Sequence, residues 1–365
     1  MVYSRPTLLL NEKVARNNIE FMSAKLKSKG LKFRPHFKTH QSYEIAYWYS
    51  DYGVDAITVS SVDMAKFFAN NGWLDIMIAF PVNLLQADEI NNLAGKVNLT
   101  IILDDLYVLE LLDKLVTNNL NCFIKVDTGN HRAGIPAENL EEIESLVNAF
   151  GISRHLKFKG FLSHAGQTYH AESKEEILGI HSDNKNKLLN LKQIFSNPDQ
   201  EIILSTGDTP SAYLAQDFTG LDELRPGVFV FNDLMQKQLL GLNNSQIATV
   251  MAVPVVSVYP ERNEMLVFGG AVHFSKESIK INGHTVYGEL VKLLPDGSWF
   301  EIDSETKGYL TSISQEHGVI TTNDKFINVI KPGDVVGVIP AHACLAVAQM
   351  KYLYCGGMKI VTMNS

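Results

Sequence analysis

The chain has 365 residues, of which 45% are hydrophobic and 20% charged, a composition that excludes a disordered or collagen-like protein. Its 32 basic and 40 acidic residues give a net charge of −8, which argues against a nucleic-acid partner and against an anionic membrane surface. The chain has only three cysteines, no apolar run long enough to span a membrane, and a short apolar stretch near its N-terminus. These features predict a cytoplasmic protein that binds small molecules.

Eight strand-like runs alternate with helical stretches in the first two thirds of the chain. The runs are 31–38, 55–61, 75–80, 98–105, 121–128, 158–164, 202–208 and 224–231. Between them, stretches such as 106–118 and 140–150 repeat apolar residues at helical spacing. Alternating strands and helices predict a parallel sheet, and about eight such units indicate a (β/α)8 barrel. A doubly wound sheet is the alternative, but no Gly-x-Gly-x-x-Gly follows the first run.

From about residue 247 the pattern changes to strands joined by short turns. These strands are predicted over 247–259, 264–268, 284–294, 311–314, 335–339 and 347–354. Turn pairs such as Asn282-Gly283 leave no room for helices between them. We therefore predict an α/β fold, with a TIM-like (β/α)8 barrel over 11–240 and an antiparallel β domain over 241–365. The strand-like residues 7–10 are expected to pair with this second domain.

Polar side chains follow nearly every predicted barrel strand. Catalytic groups of parallel barrels lie at the C-terminal ends of the strands. Residues at these positions are Arg34, His36, Lys38, Thr39, His40, Ser60, Ser61, Asp104, Asp127, His131, Arg132, His164, Ser205, Thr206, Gly207, Thr209 and Arg225. Any one of them could be a helix cap or a loop residue, so the prediction of an active site depends on the whole set.

The segment Ser205-Thr-Gly-Asp-Thr-Pro has the pattern of a phosphate-binding turn. Asp208 or Thr209 suits a helix N-cap, and Pro210 suits the first helical position. Gly207 allows a tight turn in which backbone N–H groups face outward at the positive end of the helix dipole. An ordinary capped helix is the alternative.

Lys38 lies among cations at the end of the first predicted strand. Its cationic neighbours favour the neutral amine, which can form an imine with an aldehyde. A solvated or salt-bridged lysine is the alternative. Together with a phosphate site, an imine-forming lysine is the minimal set for pyridoxal phosphate.

His342 and Cys344 are two residues apart on a predicted strand or turn in Pro340-Ala-His-Ala-Cys. Residues at i and i+2 share one face of a strand, so the imidazole and the thiolate could bind one Zn²⁺ and leave positions open for substrate or water. A buried cysteine beside a structural histidine is the alternative.

Seven motifs occur in one order along nearly the whole chain. They are Arg34-Pro-His-Phe-Lys-Thr-His, Asp127-Thr-Gly-Asn-His-Arg-Ala-Gly, Ser163-His-Ala-Gly, Ser205-Thr-Gly-Asp-Thr-Pro, Glu223-Leu-Arg-Pro-Gly, Gln315-Glu-His-Gly and Pro340-Ala-His-Ala-Cys. Together they resemble the D-threonine aldolase and D-serine dehydratase family, which comprises fold type III pyridoxal-phosphate enzymes related to alanine racemase. The resemblance implies an alanine racemase-like fold and a homodimer whose active site is completed across the subunit interface.

The resemblance also implies roles for individual residues. Lys38 would bind the cofactor covalently and then serve as the base that takes the α proton of a D-amino acid. The cofactor would further contact Arg132 (phenolate oxygen), His164 (ring face), Gly207 and Thr209 (phosphate), Arg225 (ring nitrogen), and also His36, Ser205 and Gly227. His342 and Cys344 would bind zinc, as in D-serine dehydratases, whereas aldolase relatives tend to have His-x-Asp there.

Three outcomes of this chemistry stay open. The implied reaction is β-elimination from a β-hydroxy-D-amino acid, as in D-serine dehydratase, or retro-aldol cleavage, as in D-threonine aldolase, with His317 as a candidate base. Racemisation is the alternative. By the resemblance, an arginine at position 225 would keep the ring nitrogen unprotonated, which favours racemisation or an elimination that depends largely on the metal. The second base of a racemase would be Tyr259, Tyr287 or Tyr309. A non-catalytic cofactor carrier is less favoured, since carriers lack the β domain and the His-x-Cys pair.

Overall fold

The computed structural model describes residues 3–198, 200–294, 297–301 and 307–365, with only the backbone of Phe300 and Glu301. These residues form two compact units. The barrel unit comprises 21–38 and 49–227, and the β unit comprises the described residues within 1–20, 39–48 and 228–365. Within the described ranges, every helix is too short or too polar to span a membrane.

Helices and strands are numbered here in chain order. Up to residue 240 the strands are β1 (Thr7–Leu10), β2 (Lys32–Phe33), β3 (Ala56–Val59), β4 (Asp75–Pro81), β5 (Asn98–Leu103), β6 (Leu120–Asp127), β7 (Ile135–Pro136), β8 (Leu156–Leu162), β9 (Ile203–Thr206) and β10 (Glu223–Leu224). The helices there are α1 (Glu12–Ser28), α2 (Tyr43–Ser50), α3 (Val62–Asn70), α4 (Ala87–Ala94), α5 (Leu106–Leu115), α6 (Leu140–Ile152), α7 (Lys174–Phe195), α8 (Thr209–Leu214) and α9 (Leu234–Leu240).

After residue 240 strands predominate. They are β11 (Thr249–Tyr259), β12 (Glu264–Phe268), β13 (Ile279–Ile281), β14 (His284–Val286), β15 (Gly288–Leu293), β16 (Trp299–Glu301), β17 (Tyr309–Ile313), β18 (His317–Thr321), β19 (Val335–Pro340), β20 (Tyr352–Cys355) and β21 (Met358–Val361). The helices are α10 (Ala271–Phe274), α11 (Asp324–Ile327) and α12 (Ala343–Met350). Short 3₁₀ helices lie at Leu84–Gln86, Gly166–His170, Val228–Val230, Asn244–Gln246 and Pro260–Arg262.

Eight parallel strands form a nearly closed barrel in the barrel unit, in the order β3-β4-β5-β6-β8-β9-β10-β2. A bridge between His36 and Thr58 returns the sheet from the end of β2 to β3. Phe37 N donates to Thr58 O and Thr58 N donates to Pro35 O, each at 2.9 Å. Four neighbouring strands contribute Met77, Ile102, Phe123 and Leu162 to a buried cluster. The predicted (β/α)8 barrel is confirmed.

Polar residues that directly precede the helices start several of them. The side chains of Ser61, Asp105, Asn139 and Ser173 accept the N–H of the third residue after them and so cap α3, α5, α6 and α7. Ser61, one of the polar strand-end residues, is therefore a helix cap. Capping also explains why predicted helices 106–118 and 140–150 begin where α5 and α6 do.

The first and last predicted barrel strands are too long. Regular pairing covers Lys32–Phe33 rather than 31–38, and Glu223–Leu224 rather than 224–231. Each strand is followed within two residues by a proline, Pro35 or Pro226, which has no N–H for the ladder. Residues 228–230 instead form a 3₁₀ turn.

The β unit contains an antiparallel barrel. Strands β12, β18, β17, β15, β19 and β11 pair in sequence, and β11 also pairs with β12, which closes the sheet. As predicted, β1 pairs with β11, from Thr7 opposite Ala252 to Leu10 opposite Thr249. The hydrophobic core of the β unit includes Leu9, Val250, Ala252, Val291 and Ile339.

Two predictions for the β unit are wrong. Three helices, α10, α11 and α12, occur where no room for helices was expected. The predicted strand 347–354 is helical through Met350, and the strand begins at Tyr352. Ala343, Ala346 and Ala348 favour a helix, and Lys351 ends it with a left-handed φ of 62°. The Asn282-Gly283 turn is confirmed as the hairpin between β13 and β14.

Candidate active site

Five predicted site residues lie close enough to interact electrostatically in the barrel unit. Burial lowers the pKa of His36 well below its usual value, and the positive charges of Lys38, Arg225 and Arg132 lower it further. The same three cations act on His164, whose pKa burial lowers to about 3. Both imidazoles are therefore neutral at neutral pH, surrounded by cations.

Backbone hydrogen bonds select the tautomer of each ring. His164 Nδ1 lies 2.8 Å from Gly207 O, and because a carbonyl only accepts, Nδ1 carries the proton and Nε2 keeps a lone pair. His36 is the opposite case, since its Nδ1 accepts from Lys38 N at 3.4 Å and the proton lies on Nε2. The site thus offers one hydrogen-bond acceptor, His164 Nε2, and one hydrogen-bond donor, His36 Nε2.

Arg225 is held inside the barrel by groups without net charge. Its Nη2 donates to Ser163 O at 2.5 Å and its Nη1 donates to the Ser205 hydroxyl. That hydroxyl donates in turn to Glu223 Oε1 at 2.6 Å. Burial lowers the pKa of Arg225 to about 10. Among the described residues, three of its five N–H groups have no protein acceptor.

Arg132 lies at the end of a turn that Asp127 organises. Oδ1 of Asp127 accepts the N–H groups of Gly129, Asn130 and His131 at 2.9, 2.9 and 3.1 Å. These bonds lower the pKa of Asp127, although burial acts in the opposite direction. Arg132 is exposed, and its guanidinium has no ion pair with any part of the chain that the structure covers. The turn therefore presents a cation available to an anionic ligand.

The turn after β9 is built largely as predicted. Asp208 is the N-cap of α8 and accepts from Ser211 N at 2.7 Å. The helix starts at Thr209, so Pro210 is its second residue rather than its first. Thr209 Oγ1 accepts from Gly227 N at 3.3 Å, and Thr209 N donates to Tyr169 Oη at 3.1 Å. A Cβ at Gly207 would lie 2.5 Å from Arg225 N, at φ +146°, so this position requires glycine.

Lys125 adds a fourth cation that sequence reasoning missed. It is 7% exposed on β6, and its Nζ donates to Val126 O at 2.7 Å. Burial, followed by the charge of Arg225, lowers its pKa to about 8. A lysine within the apolar run 122–126 was the available signal.

This arrangement fits pyridoxal phosphate. Lys38, Arg132 and Arg225 act on two neutral imidazoles, and Lys125 lies within electrostatic range of both arginines. Arg225 also has N–H groups that no described protein atom accepts. An anionic ligand with ring acceptors would satisfy both features. Lys38 would hold the cofactor, and Arg132 and Arg225 would donate to its acceptors.

His342 and Cys344 lie together in the β unit, but not on a strand. His342 is the N-cap residue of α12 and Cys344 is the second residue of that helix. Burial alone would lower the pKa of His342, but the charge of a Cys344 thiolate and the Asp233 carboxylate raise it well above its usual value. Cys344 Sγ also lies 3.3 Å from Thr39 Oγ1.

The pair fits a zinc site with open positions. Imidazole and thiolate are typical zinc ligands, and their surroundings attract a cation. No group of three His, Cys, Asp or Glu side chains suited to a metal occurs in the described ranges, so the protein would supply two ligands. His317, the candidate base, is exposed at the start of β18 opposite Phe268, and its role stays a prediction.

Sequence families match both parts of the chain. Residues 11–234 match "Alanine racemase, N-terminal domain", and residues 248–356 match "Putative serine dehydratase domain". D-serine dehydratase of Dictyostelium discoideum is 27% identical over 368 residues, which covers 94% of this chain and 91% of that protein.

Solved structures share the fold. D-threo-3-hydroxyaspartate dehydratase from Delftia sp. HT23 has a TM-score of 0.88 at 21% identity, covering 99% of this chain and 97% of that one. A variant of D-threo-3-hydroxyaspartate dehydratase in its metal-free form gives 0.89 at the same identity and coverage. D-threonine aldolase from Filomicrobium marinum has a TM-score of 0.79 at 17% identity, covering 98% of this chain and 92% of that one.

Proposed function

Because the chain belongs to the family of the alanine racemase N-terminal domain, we propose that it is a pyridoxal-phosphate-dependent lyase of β-hydroxy-D-amino acids. The favoured reaction is β-elimination of the D-serine dehydratase type. The observation that carries this proposal is the set of Lys38, Arg132 and Arg225 around two neutral imidazoles, which suits an anionic, aldehyde-bearing cofactor. The similarity over 94% of the chain to a D-serine dehydratase supports the choice of reaction.

In the barrel unit, different residues would bind the cofactor and transfer the α proton of the substrate. Bound pyridoxal phosphate would stabilise the electron pair left on Cα after the α proton is removed. The amine of Lys38 would take that proton as general base. His164 and Arg225 would orient the ring, and Arg132 would bind its phenolate oxygen. Gly207 and Thr209 would hold the phosphate end, and Ser205 would position Arg225. Gly227 would line the site beside Thr209, with His36 beside Lys38.

The two proposed zinc ligands, His342 and Cys344, bear on which reaction follows removal of the α proton. Zinc bound by His342 and Cys344 would act as a Lewis acid on the β-hydroxyl, which favours its departure. The His-x-Cys pair and the dehydratase relatives support elimination over retro-aldol cleavage. In the retro-aldol alternative, His317 would instead deprotonate that hydroxyl.

We further propose a cytoplasmic homodimer with a cofactor domain over 11–240 and a metal-carrying β domain over 241–365 with 1–10. The matched families cover 11–234 and 248–356, which supports that division. Cys122, Cys344 and Cys355 are buried thiols that form no disulfide in the described part of the chain, which supports a reducing compartment.

One experiment tests the reaction and the cofactor together. Purified protein is incubated with D-serine, D-threonine or D-alanine, with and without a chelator, and analysed for keto acid, aldehyde and the L isomer. We expect keto acid from D-serine, an absorbance band of bound pyridoxal phosphate, and loss of turnover with chelator.

The matched variants are Lys38→Ala and Lys157→Ala, of which the second removes an exposed lysine from β8. Lys38→Ala should lose both the band and at least about a thousandfold in rate, as expected for a general base that is also the nucleophile. Lys157→Ala should retain both. Keto acid formation by Lys38→Ala would refute the role of Lys38, and racemisation unaffected by chelator would replace the lyase by a racemase.

A further inference from the structure

A buried carboxylate contacts one of the two proposed zinc ligands. Asp233 is 0% exposed and is the N-cap of α9, where its Oδ1 accepts from Gln236 N at 2.9 Å. Its Oδ2 lies 3.2 Å from His342 Nδ1 and accepts from Ala343 N at 3.0 Å. One carboxylate therefore links the starts of α9 and α12 to the His342 ring.

This contact fixes a proton on one nitrogen of the His342 ring. A carboxylate only accepts hydrogen bonds, so an unprotonated Nδ1 at this distance would place two lone pairs against each other. Nδ1 therefore donates to Asp233, and Nε2 is the nitrogen left to bind a metal in place of its own proton. Such a carboxylate–histidine pair orients the ring toward a metal and increases its strength as a ligand.

We propose that Asp233 is a positioning residue of the metal site and sets both ligands at once. It orients His342 so that Nε2 faces the metal, and through Ala343 N it fixes the first turn of α12, in which Cys344 lies. This inference rests on the zinc-assisted function proposed above. If Asp233 only capped helices, its loss would lower stability and leave zinc affinity unchanged, which separates the two roles.

The test compares Asp233→Asn with Asp113→Asn in the full-length protein. Asp113 is a matched control because it too accepts three hydrogen bonds, from Ser153 Oγ, Arg154 N and His155 N, in the barrel unit. Zinc affinity is measured by competition with a chromogenic chelator, alongside thermal unfolding and the absorbance of bound pyridoxal phosphate. We expect zinc affinity to fall about 10–100-fold in Asp233→Asn only.

The outcomes separate this inference from the proposed function. Wild-type affinity in a folded Asp233→Asn variant would overturn the role of Asp233 alone. A wild-type protein that binds no zinc would refute the zinc-assisted reaction as well. Should Asp233→Asn not fold, a crystal structure of the zinc-loaded wild type decides: Nε2 on zinc with Nδ1 on Asp233 supports the inference, and Nδ1 on zinc overturns it.

Discussion

His36, His40 and His164 show how backbone contacts set the chemistry of single residues. Each ring bonds a backbone group through Nδ1, so each has a defined tautomer. Burial is the largest cause of the lowered pKa of all three. Position at a strand end predicted His36 and His164 as site residues, but only their surroundings decide that they are neutral.

Buried neutral histidines make the stability of the fold depend on pH. His40 is 0% exposed and its pKa is lowered to about 3 by burial. Between pH 6.5 and about 3 the unfolded chain binds a proton at this position that the folded chain does not, so stability is lost as pH falls. We expect His40 to account for about 2 kcal/mol of the free energy of unfolding lost between pH 6.5 and 5.

Denaturant unfolding at pH 7 and pH 5 measures this contribution. The loss of stability on acidification should be about 2 kcal/mol smaller in His40→Gln than in the wild type. His284→Gln, which changes an exposed histidine, should behave like the wild type. Equal losses in His40→Gln and the wild type would contradict the prediction.

At the scale of elements, prolines and glycines decide where the strands of the barrel end. Pro35 and Pro226 shorten β2 and β10. A single bridge between His36 and Thr58, rather than a long run of strand pairing, joins the two ends of the barrel sheet. Gly207 turns the chain between β9 and α8 at a φ that favours glycine, against the backbone of Arg225. The same turn positions the carbonyl that binds His164.

Gly207→Ala should therefore damage both fold and site. The left-handed φ and the contact of 2.5 Å between the new Cβ and Arg225 N predict a loss of at least about 2 kcal/mol in the free energy of unfolding. Bound cofactor should decrease with it. Gly179→Ala is the control, since this exposed helical position has no atom within 4 Å of an added Cβ and should gain about 1 kcal/mol. A Gly207→Ala variant as stable as wild type would refute the assigned strain.

For the whole molecule, exposed apolar side chains at one end of the barrel unit are the feature that bears on assembly. Phe80, Leu85 and Tyr107 are 59%, 94% and 67% exposed. They follow or end β4 and β5 at the C-terminal end of the barrel, where the site residues of this unit also lie. Exposed apolar side chains grouped in this way are typical of a protein–protein interface and support the proposed homodimer.

Leu85→Glu should shift the protein from dimer to monomer, because a carboxylate would lose its hydration at a buried interface. The control is Ile152→Glu, an 86% exposed position at the end of α6, on the side of the barrel where β8 begins. Sedimentation velocity at micromolar concentration distinguishes the two states. A monomeric wild type, or a dimeric Leu85→Glu variant, would contradict this interface.

The sequence alone determined what depends on neighbours along the chain. Apolar periodicity and strand-end polar residues identified the (β/α)8 barrel and the following antiparallel strands, and they predicted site residues such as Lys38, His164 and Arg225. Local signals also misled: the helix α12 was predicted as a strand, because its apolar residues suit either structure in a short run.

Only the tertiary structure decided which distant residues meet. Asp233 and His342 are 109 positions apart, and Arg34 and Glu223 are 189 apart, so no spacing rule joins them. Their contacts exist because strands and helices pack in three dimensions, and burial then fixes the protonation states. Periodicity encodes the form of each element, whereas proton positions and ligand orientation follow from packing between elements.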